Sequence, residues 1–199
     1  MPAYVSACSG FDALCQATYW SRAATPLSQL YAALTIKVLI VELPQAVNSN
    51  SRLVRDKMQM AANWAGKAIN ISKTTAPHAM SYVITQEFGI PHGHAVALTL
   101  GKFFTLHDKY CNVNIGPFLD GQSLNQIMID LYVLLGVNNA NEACNKWYEI
   151  MSMCGLETSM EKVGINDAHI KQIIDGVNIE RLNNHPIILT KDTMKEVFI

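Results

Sequence analysis

Two histidines, His78 and His92, carry the clearest chemistry that this sequence offers. They are fourteen positions apart, and each directly follows a proline, Pro77 or Pro91. Imidazole nitrogens are common ligands of zinc and iron, and a proline stiffens the backbone that must hold each ring in one orientation. The pair therefore indicates a metal site, although histidines of a helical protein also occur as capping or surface residues.

Three longer motifs include or accompany these histidines. They read SGFDAL at residues 9–14, KTTAPHAMSY at 73–82 and FGIPHGHAVAL at 88–98. Together they resemble the helical, metal-binding half of the iron-containing (group III) alcohol dehydrogenases. Two shorter segments, CGLET at 154–158 and NNHP at 183–186, are similar to turns of the same family. The resemblance thus extends over nearly the whole chain.

The resemblance implies which residues hold the metal. Members of the family bind it with an aspartate, a histidine four positions later, and two histidines spaced like His78 and His92. The aspartate corresponds to Asp12, whereas Gln16 stands in place of the fourth ligand. Three protein ligands with one open position are still usual at a catalytic zinc, and the related glycerol dehydrogenases use one aspartate and two histidines. Asp12, His78 and His92 are therefore the expected ligands of a divalent metal, Fe²⁺ or Zn²⁺.

Two residues are candidates for a direct role in catalysis, Gln16 and Tyr82. If Asp12 lies near the start of the first helix, Gln16 is on the same face one turn later and could hydrogen-bond the substrate. Tyr82 follows His78 by four positions, where many family members have another histidine thought to line the active site. Tyr82 is expected either to take that place or simply to pack.

Three further polar residues are weaker candidates. His94 lies two positions after His92, so on a helix it points away from it. We expect it either to support the metal site from outside or to form a hydrogen bond in the core. Lys73 and Thr74 suit an anionic group of a substrate, but a lysine facing the C-terminal dipole of its own helix is the alternative interpretation of Lys73.

The resemblance also implies a reaction. In the family, the metal polarises the oxygen of an aldehyde or ketone while a reduced nicotinamide delivers a hydride, and the reverse direction oxidises an alcohol. The motif of residues 73–80 and the Asp-x-x-x-Gln variant look most like phosphonoacetaldehyde reductases, which suggests a small and anionic substrate. A truncated, non-catalytic remnant that acts as a helical binding or oligomerisation module is the main alternative. A metal-dependent hydrolase is more remote, because Glu87 is the only obvious general base nearby.

The composition limits the partners of the chain. With 199 residues it is expected to form a single domain, 1–199, and a net charge of −1 offers no basic surface for nucleic acid. It contains no Gly-x-Gly-x-x-Gly, so an NAD(P)-binding, N-terminal dinucleotide-binding domain is expected to be absent from this chain. Hydrophobic residues make up 50% and charged residues only 16%, which favours contact with a separate cofactor domain or a homo-oligomer.

The cysteines and the N-terminus suggest a compartment. Five cysteines without a Cys-x-x-Cys pair indicate neither a disulfide framework nor a zinc knuckle. The N-terminus lacks the pattern of a signal peptide, and Lys37 interrupts the most apolar stretch, 30–43, before it reaches the length of a membrane span. A cytoplasmic protein that does not enter the membrane is the expectation.

Hydrophobic residues recur with the period of a helix along most of the chain. The predicted fold class is therefore all-α, a helical bundle whose helices must position these residues. Thr25 and Thr190 are predicted N-caps, and Pro44 is expected to kink or end its helix near Glu42. The short segments 3–6 and 187–189 are the only strand candidates. Helices are predicted at about residues 26–47, 51–71, 77–88, 92–106, 124–136, 141–153, 166–176 and 191–198.

Overall fold

The computed structural model describes residues 1–17, 19–49, 51–112, 115 and 123–198, and this part of the chain is mostly helical. Its α-helices are α1 Ala3–Gln16, α2 Pro26–Asn48, α3 Arg52–Ser72, α4 Ala76–Phe88, α5 His92–Tyr110, α6 Leu124–Leu135, α7 Ala140–Met153, α8 Asp167–Gly176 and α9 Lys191–Lys195. Short 3-10 helices span Glu161–Val163, Ile179–Leu182 and Glu196–Phe198. The only β pairing among the described residues is an isolated bridge between Ile115 and Ile187. The predicted all-α fold is confirmed.

The helix starts follow from their capping residues. The Thr25 side chain accepts a hydrogen bond from the Ser28 amide, and Pro26 occupies the first turn of α2, where its missing amide hydrogen has no cost. Thr190 caps α9 in the same way through Thr193. Both predicted N-caps are thus confirmed.

Helix α2 differs from the prediction at Pro44. The prediction allowed an end near Glu42, but the helix continues through Pro44 to Asn48. Pro44 removes one backbone hydrogen bond, yet Glu42, Leu43 and Pro44 are all buried, and α2 packs along α3. Burial of this segment outweighs the local penalty of the proline.

Helix α2 is also long and apolar enough to cross a membrane, judged by length and composition alone. In the fold it packs against both α1 and α3, with Ala32, Leu39 and Leu43 each at most 1% exposed. The core helix of a globular protein passes the same test, so these contacts favour a core helix.

The first helix begins earlier in the chain than the sequence analysis expected. Residues 3–6, a strand candidate, form its first turn, and α1 spans Ala3–Gln16. Asp12 therefore lies near the end of α1, not near its start as expected. The relation to Gln16 is nonetheless preserved, because both positions are helical and one turn apart.

Helix α5 lies at the centre of the fold. It packs against α1, α4 and α7, and its residues from Gly93 to Gly101 are all buried. Close contact with α1 depends on Gly93, because a Cβ atom at this position would lie 1.9 Å from the carbonyl oxygen of Cys8. The absence of a side chain at Gly93 lets the start of α5 lie directly on α1, one turn before Asp12.

Candidate metal centre

Three helices bring one side chain each to a common point. Asp12 comes from the last turns of α1, His78 from the first turn of α4 and His92 from the first residue of α5. One ligand atom from each of the three lies within 4.8 Å of the other two. His92 Nε2 lies 3.7 Å from Asp12 Oδ1. Residues that are 14 and 66 positions apart in the chain thus form one cluster.

His78 is the most deeply buried member of the cluster. Only 2% of the residue is exposed, and neither ring nitrogen has a hydrogen-bond partner among the described residues. Burial lowers the pKa of His78 to about 3, and the nearby His92 adds to that shift. The ring is therefore neutral at pH 7, which is the form that binds a metal.

Asp12 lies beside His78 in a partly buried setting. Its Oδ1 is buried without a hydrogen-bond partner, while Oδ2 accepts a hydrogen bond from Gln16 Nε2 at 2.9 Å. Burial raises the pKa of Asp12, and both His92 and the Gln16 hydrogen bond oppose that shift. One carboxylate oxygen is thus held in place by Gln16 and the other faces the histidines.

His92 is oriented by Ser81. The Ser81 hydroxyl donates to the carbonyl oxygen of His78 at 2.8 Å, and its oxygen lies 3.1 Å from His92 Nδ1. Because the single hydroxyl hydrogen is used on His78, we infer that Nδ1 carries the proton and donates it to Ser81. His92 Nε2 then presents its lone pair towards Asp12. This second hydrogen bond of a ligating histidine is typical of metal sites.

These observations test whether the cluster suits a divalent metal. Buried polar atoms almost always have hydrogen-bond partners, and leaving them unpaired costs about 1–3 kcal/mol each. Here three such atoms, Asp12 Oδ1 and both nitrogens of His78, are unpaired at the same place. One carboxylate and two imidazoles are ligands that zinc and ferrous iron accept. The residues fit the metal.

Gln16 contacts the cluster through Asp12. Its amide nitrogen donates to Asp12, so this residue supports a proposed ligand directly. The side-chain oxygen of Gln16, Oε1, takes no part in this hydrogen bond. The role of Gln16 in catalysis stays a prediction.

Tyr82 lies over His92. Their ring centroids are 5.3 Å apart with an angle of 33° between the planes, and Tyr82 is 45% exposed. The guanidinium carbon of Arg181 is 4.4 Å from the centroid of the Tyr82 ring. Tyr82 thus forms part of the solvent-facing wall of the cluster. Arg181, which lies beside Tyr82, was not among the candidates from the sequence.

His94 points away from the cluster, as its position on the helix predicts. Its Nε2 donates to the carbonyl oxygen of Glu157 at 2.7 Å, and Nδ1 accepts from the Tyr4 hydroxyl at 3.2 Å. Burial lowers the pKa of His94, which keeps the ring neutral. Of the two expectations for His94, these contacts fit the core hydrogen bond.

Lys73 and Thr74 lie in the turn between α3 and α4. Lys73 Nζ donates to the carbonyl oxygen of Asn70, in the last turn of its own helix, as the alternative interpretation of this lysine expects. The carbonyl oxygen of Thr74 accepts from Asn184 Nδ2 at 2.9 Å. Neither contact involves the metal cluster, and a substrate contact at Lys73 or Thr74 stays a prediction.

A small cavity of about 30 Å³ reaches His78 from inside the fold. Its wall is mostly apolar and aromatic, with Trp20, Phe104 and Trp147 among its residues, and Thr75 is its other polar member near His78. The Thr75 hydroxyl accepts from Trp20 Nε1 at 3.3 Å. His78 therefore separates the cluster from an apolar interior, which explains the size of its pKa shift.

Two other histidines, His107 and His185, are buried although their neighbours in the sequence are polar and typical of solvent-exposed residues. They are 0% and 1% exposed. Their Nε2 atoms are 3.1 Å apart, and His185 Nδ1 accepts from the amide of Ala76, the first residue of α4. The polar neighbours of these histidines in the sequence gave no sign of burial, because their partners come from distant segments.

Comparisons with known proteins agree with this arrangement. A family model described as the Fe-containing alcohol dehydrogenase family, C-terminal, matches residues 6–199. A phosphonoacetaldehyde reductase of Streptomyces viridochromogenes is 35% identical over 189 residues, which are 92% of this chain and 46% of that protein. The chain therefore spans about half the length of this relative.

Solved structures show the same fold. The sulfoacetaldehyde reductase of Bifidobacterium kashiwanohense, in complex with NAD⁺, superposes with a TM-score of 0.81 at 26% identity, over all of this chain and 50% of that one. An iron-containing alcohol dehydrogenase of Thermotoga maritima has a TM-score of 0.79 at 23% identity, over all of this chain and 49% of that one.

Proposed function

This chain belongs to the Fe-containing alcohol dehydrogenase family, C-terminal, and we propose that it forms the metal-binding side of an active site that interconverts small aldehydes and alcohols. The observation that carries the proposal is the set of unpaired buried atoms on Asp12 and His78, directly beside His92. A divalent ion bound there would polarise a carbonyl oxygen and stabilise the negative charge that develops on it.

The residues of the chain prepare this site. Burial keeps His78 neutral, and Ser81 holds the His92 ring so that Nε2 faces Asp12. Gln16 fixes one oxygen of the Asp12 carboxylate. Each proposed ligand is therefore oriented, or kept in the right protonation state, by contacts already present in the fold.

The nicotinamide cofactor requires a second structural unit in this proposal. The 199 residues contain no glycine-rich dinucleotide fingerprint, and the similar sulfoacetaldehyde reductase, twice as long, is described in complex with NAD⁺. We infer that NAD(P) would be bound by a separate dinucleotide-binding half that packs beside Tyr82 and His92. The exposed side of the cluster would then face the nicotinamide.

The substrate class follows from two relatives. Phosphonoacetaldehyde and sulfoacetaldehyde are both short aldehydes that carry an oxyanion, and the reductases named for them are 35% and 26% identical to this chain. We infer a small aldehyde or alcohol as the substrate, with an anionic example as the first to test.

The alternative, a non-catalytic helical module, has less support. A purely structural role gives no reason for both nitrogens of His78 to be buried without partners, because each unpaired buried group costs free energy. The unpaired atoms of the cluster therefore favour metal binding over a purely structural role.

Metal analysis of the 199-residue chain tests the proposal. After anaerobic preparation we expect close to one bound equivalent of iron or zinc, and a melting temperature that rises when the metal is added back, because a ligand of the native state stabilises it. His169→Gln removes a histidine of α8 outside the cluster and should leave metal binding unchanged. Less than about 0.1 equivalent of either metal, with no shift in melting temperature, would contradict the proposal.

A further inference from the structure

Arg181 lies near the candidate metal centre and has no charged partner among the residues that the structure describes. It is an exposed residue of the 3-10 helix Ile179–Leu182. Its guanidinium lies over the ring of Tyr82, and the same ring lies over His92 with an angle of 33° between the planes. Tyr82 therefore contacts both Arg181 and a proposed metal ligand. No feature of the sequence alone pointed to this residue.

The charge of Arg181 is not neutralised within the part of the chain that the structure describes. Most ion pairs there join surface lysines to carboxylates, as Lys171 and Lys191 do with Asp175. No carboxylate oxygen lies within salt-bridge distance of Arg181 among the described residues, although seven lysines have such a partner. A stacked guanidinium keeps its N–H donors free at the edge of the plane.

An anionic aldehyde needs two different partners. The metal would take the carbonyl oxygen, and the oxyanion at the other end of a two-carbon chain needs a second positive group only a few ångströms away. Lys73, expected from the sequence to fill this role, already donates to Asn70. A guanidinium is the better partner in any case, because its planar pair of N–H groups matches two oxygens of a phosphonate or sulfonate.

On the basis of the proposed function, we propose that Arg181 is a specificity-determining residue that binds the oxyanion of a short anionic aldehyde. Tyr82 holds the guanidinium at the mouth of the metal centre and so sets the distance between the two charged ends of the substrate. The shared chemistry is a tetrahedral oxyanion, which a phosphonate or a sulfonate can supply.

Calorimetric titration of the zinc-loaded 199-residue chain tests this role. The probes are 2-hydroxyethylphosphonate, 2-hydroxyethanesulfonate and, as the uncharged control, 1-propanol. We expect Arg181→Gln to weaken binding of the preferred oxyanion by about tenfold or more, because a charge-assisted hydrogen bond to the probe is lost. Binding of 1-propanol and the zinc stoichiometry should not change.

Matched variants separate this role from general charge effects. Arg181→Lys keeps the positive charge but loses the planar pair of N–H donors of the guanidinium, so it should retain only part of the affinity for the oxyanion. Arg52→Gln removes an exposed arginine at the start of α3 and should leave the affinity unchanged. Because Arg181 is exposed, its variants should keep the melting temperature of the wild type.

The possible failures are distinguishable. If zinc-loaded Arg181→Gln binds both oxyanions as tightly as the wild type does, or if Arg52→Gln weakens them equally, the role of Arg181 is refuted while the metal site stands. If the wild-type chain binds no zinc, the proposed function itself fails, and the role of Arg181 fails with it. A difference between the phosphonate and the sulfonate in the wild type identifies which oxyanion the site prefers.

Discussion

His78 of the metal cluster and a second group, the pair of His107 and His185, are all buried, but they differ in their hydrogen bonding. In the metal cluster, both nitrogens of His78 lack partners, and Asp12 Oδ1 is unpaired beside them. In the second group, the Nε2 atoms of His107 and His185 lie 3.1 Å apart, and His185 Nδ1 accepts a hydrogen bond from the amide of Ala76, so that only His107 Nδ1 is unpaired. Burial is nearly complete for His78 as well as for His107 and His185, so solvent access does not explain the difference between these rings.

The comparison shows how a structural histidine differs from a ligand. In the second group, the Ala76 amide donates to His185 Nδ1, so we infer that His185 donates through Nε2 to His107. That pair satisfies the first turn of α4, which would otherwise leave an amide unpaired. In the metal cluster, no described residue forms a hydrogen bond with either nitrogen of His78. One unpaired nitrogen, such as His107 Nδ1, also occurs in the structural pair. The better indicator of an external ligand is therefore a ring with both nitrogens unpaired beside an unpaired carboxylate oxygen.

The largest expected effect is the loss of metal binding in His78→Leu. The variant removes one of three proposed ligands, so zinc affinity should fall at least about a hundredfold. Without metal its free energy of unfolding should stay the same or rise, because leucine fills the site and removes two unpaired nitrogens. Competition with a chelator and chemical unfolding in its presence measure the two quantities. A large loss of metal-free stability would place His78 among the structural histidines instead.

The next effect is a loss of stability in His185→Leu. The variant leaves the Ala76 amide and one nitrogen of His107 without partners, which should lower the free energy of unfolding by about 2–4 kcal/mol. His107→Leu/His185→Leu should lose less than the sum of the two single variants, because it removes both members of the pair. Urea unfolding measures each value. Additive losses would show that the two rings do not act as a unit.

The features that could be predicted are those that depend on residues close together in the chain. Thr25 followed by Pro26 predicts a helix start because the cap and the proline act within one turn. The three motifs around Asp12, His78 and His92 predicted the family through resemblance. The start of the first helix was missed, since α1 has neither a capping side chain nor a charged residue in its first turn.

Contacts between distant segments could not be predicted. His107 and His185 are 78 positions apart, and only the packing of the chain end against α4 and α5 brings them together. Arg181 reaches Tyr82 for the same reason. Helical periodicity describes one face of one helix at a time, so it cannot report which polar groups meet across helices.

A smaller effect concerns pH. Burial lowers the pKa of His107 to about 3 and the pKa of His185 well below its usual value, and the charge of His107 adds to the shift of His185. The unfolded chain binds protons below about pH 6.5 that the folded chain does not, so stability is full above that pH and falls as the pH drops. We expect a loss of about 1.4 kcal/mol per pH unit for each histidine.

Urea unfolding of the metal-free protein at pH 7 and pH 5 measures this slope. His78 contributes a loss of the same sign, since burial also lowers its pKa to about 3. The relevant quantity is therefore the difference between the wild type and His107→Leu/His185→Leu, which should have the shallower slope. Equal slopes would mean that the pair does not titrate as buried, neutral imidazoles.

The smallest effect tests how Ser81 links the two sides of the metal cluster. Ser81→Ala removes the acceptor that fixes His92 Nδ1 and the donor to the His78 carbonyl oxygen, so zinc affinity should fall about tenfold. The fold should tolerate the change, because the alanine is smaller and the helix keeps its backbone hydrogen bonds. Thr99→Ala removes a comparable buried hydroxyl that donates only within α5, and it should leave zinc affinity unchanged. If both variants weaken zinc equally, the loss reflects general loosening of the core, and the tautomer of His92 is not set by Ser81.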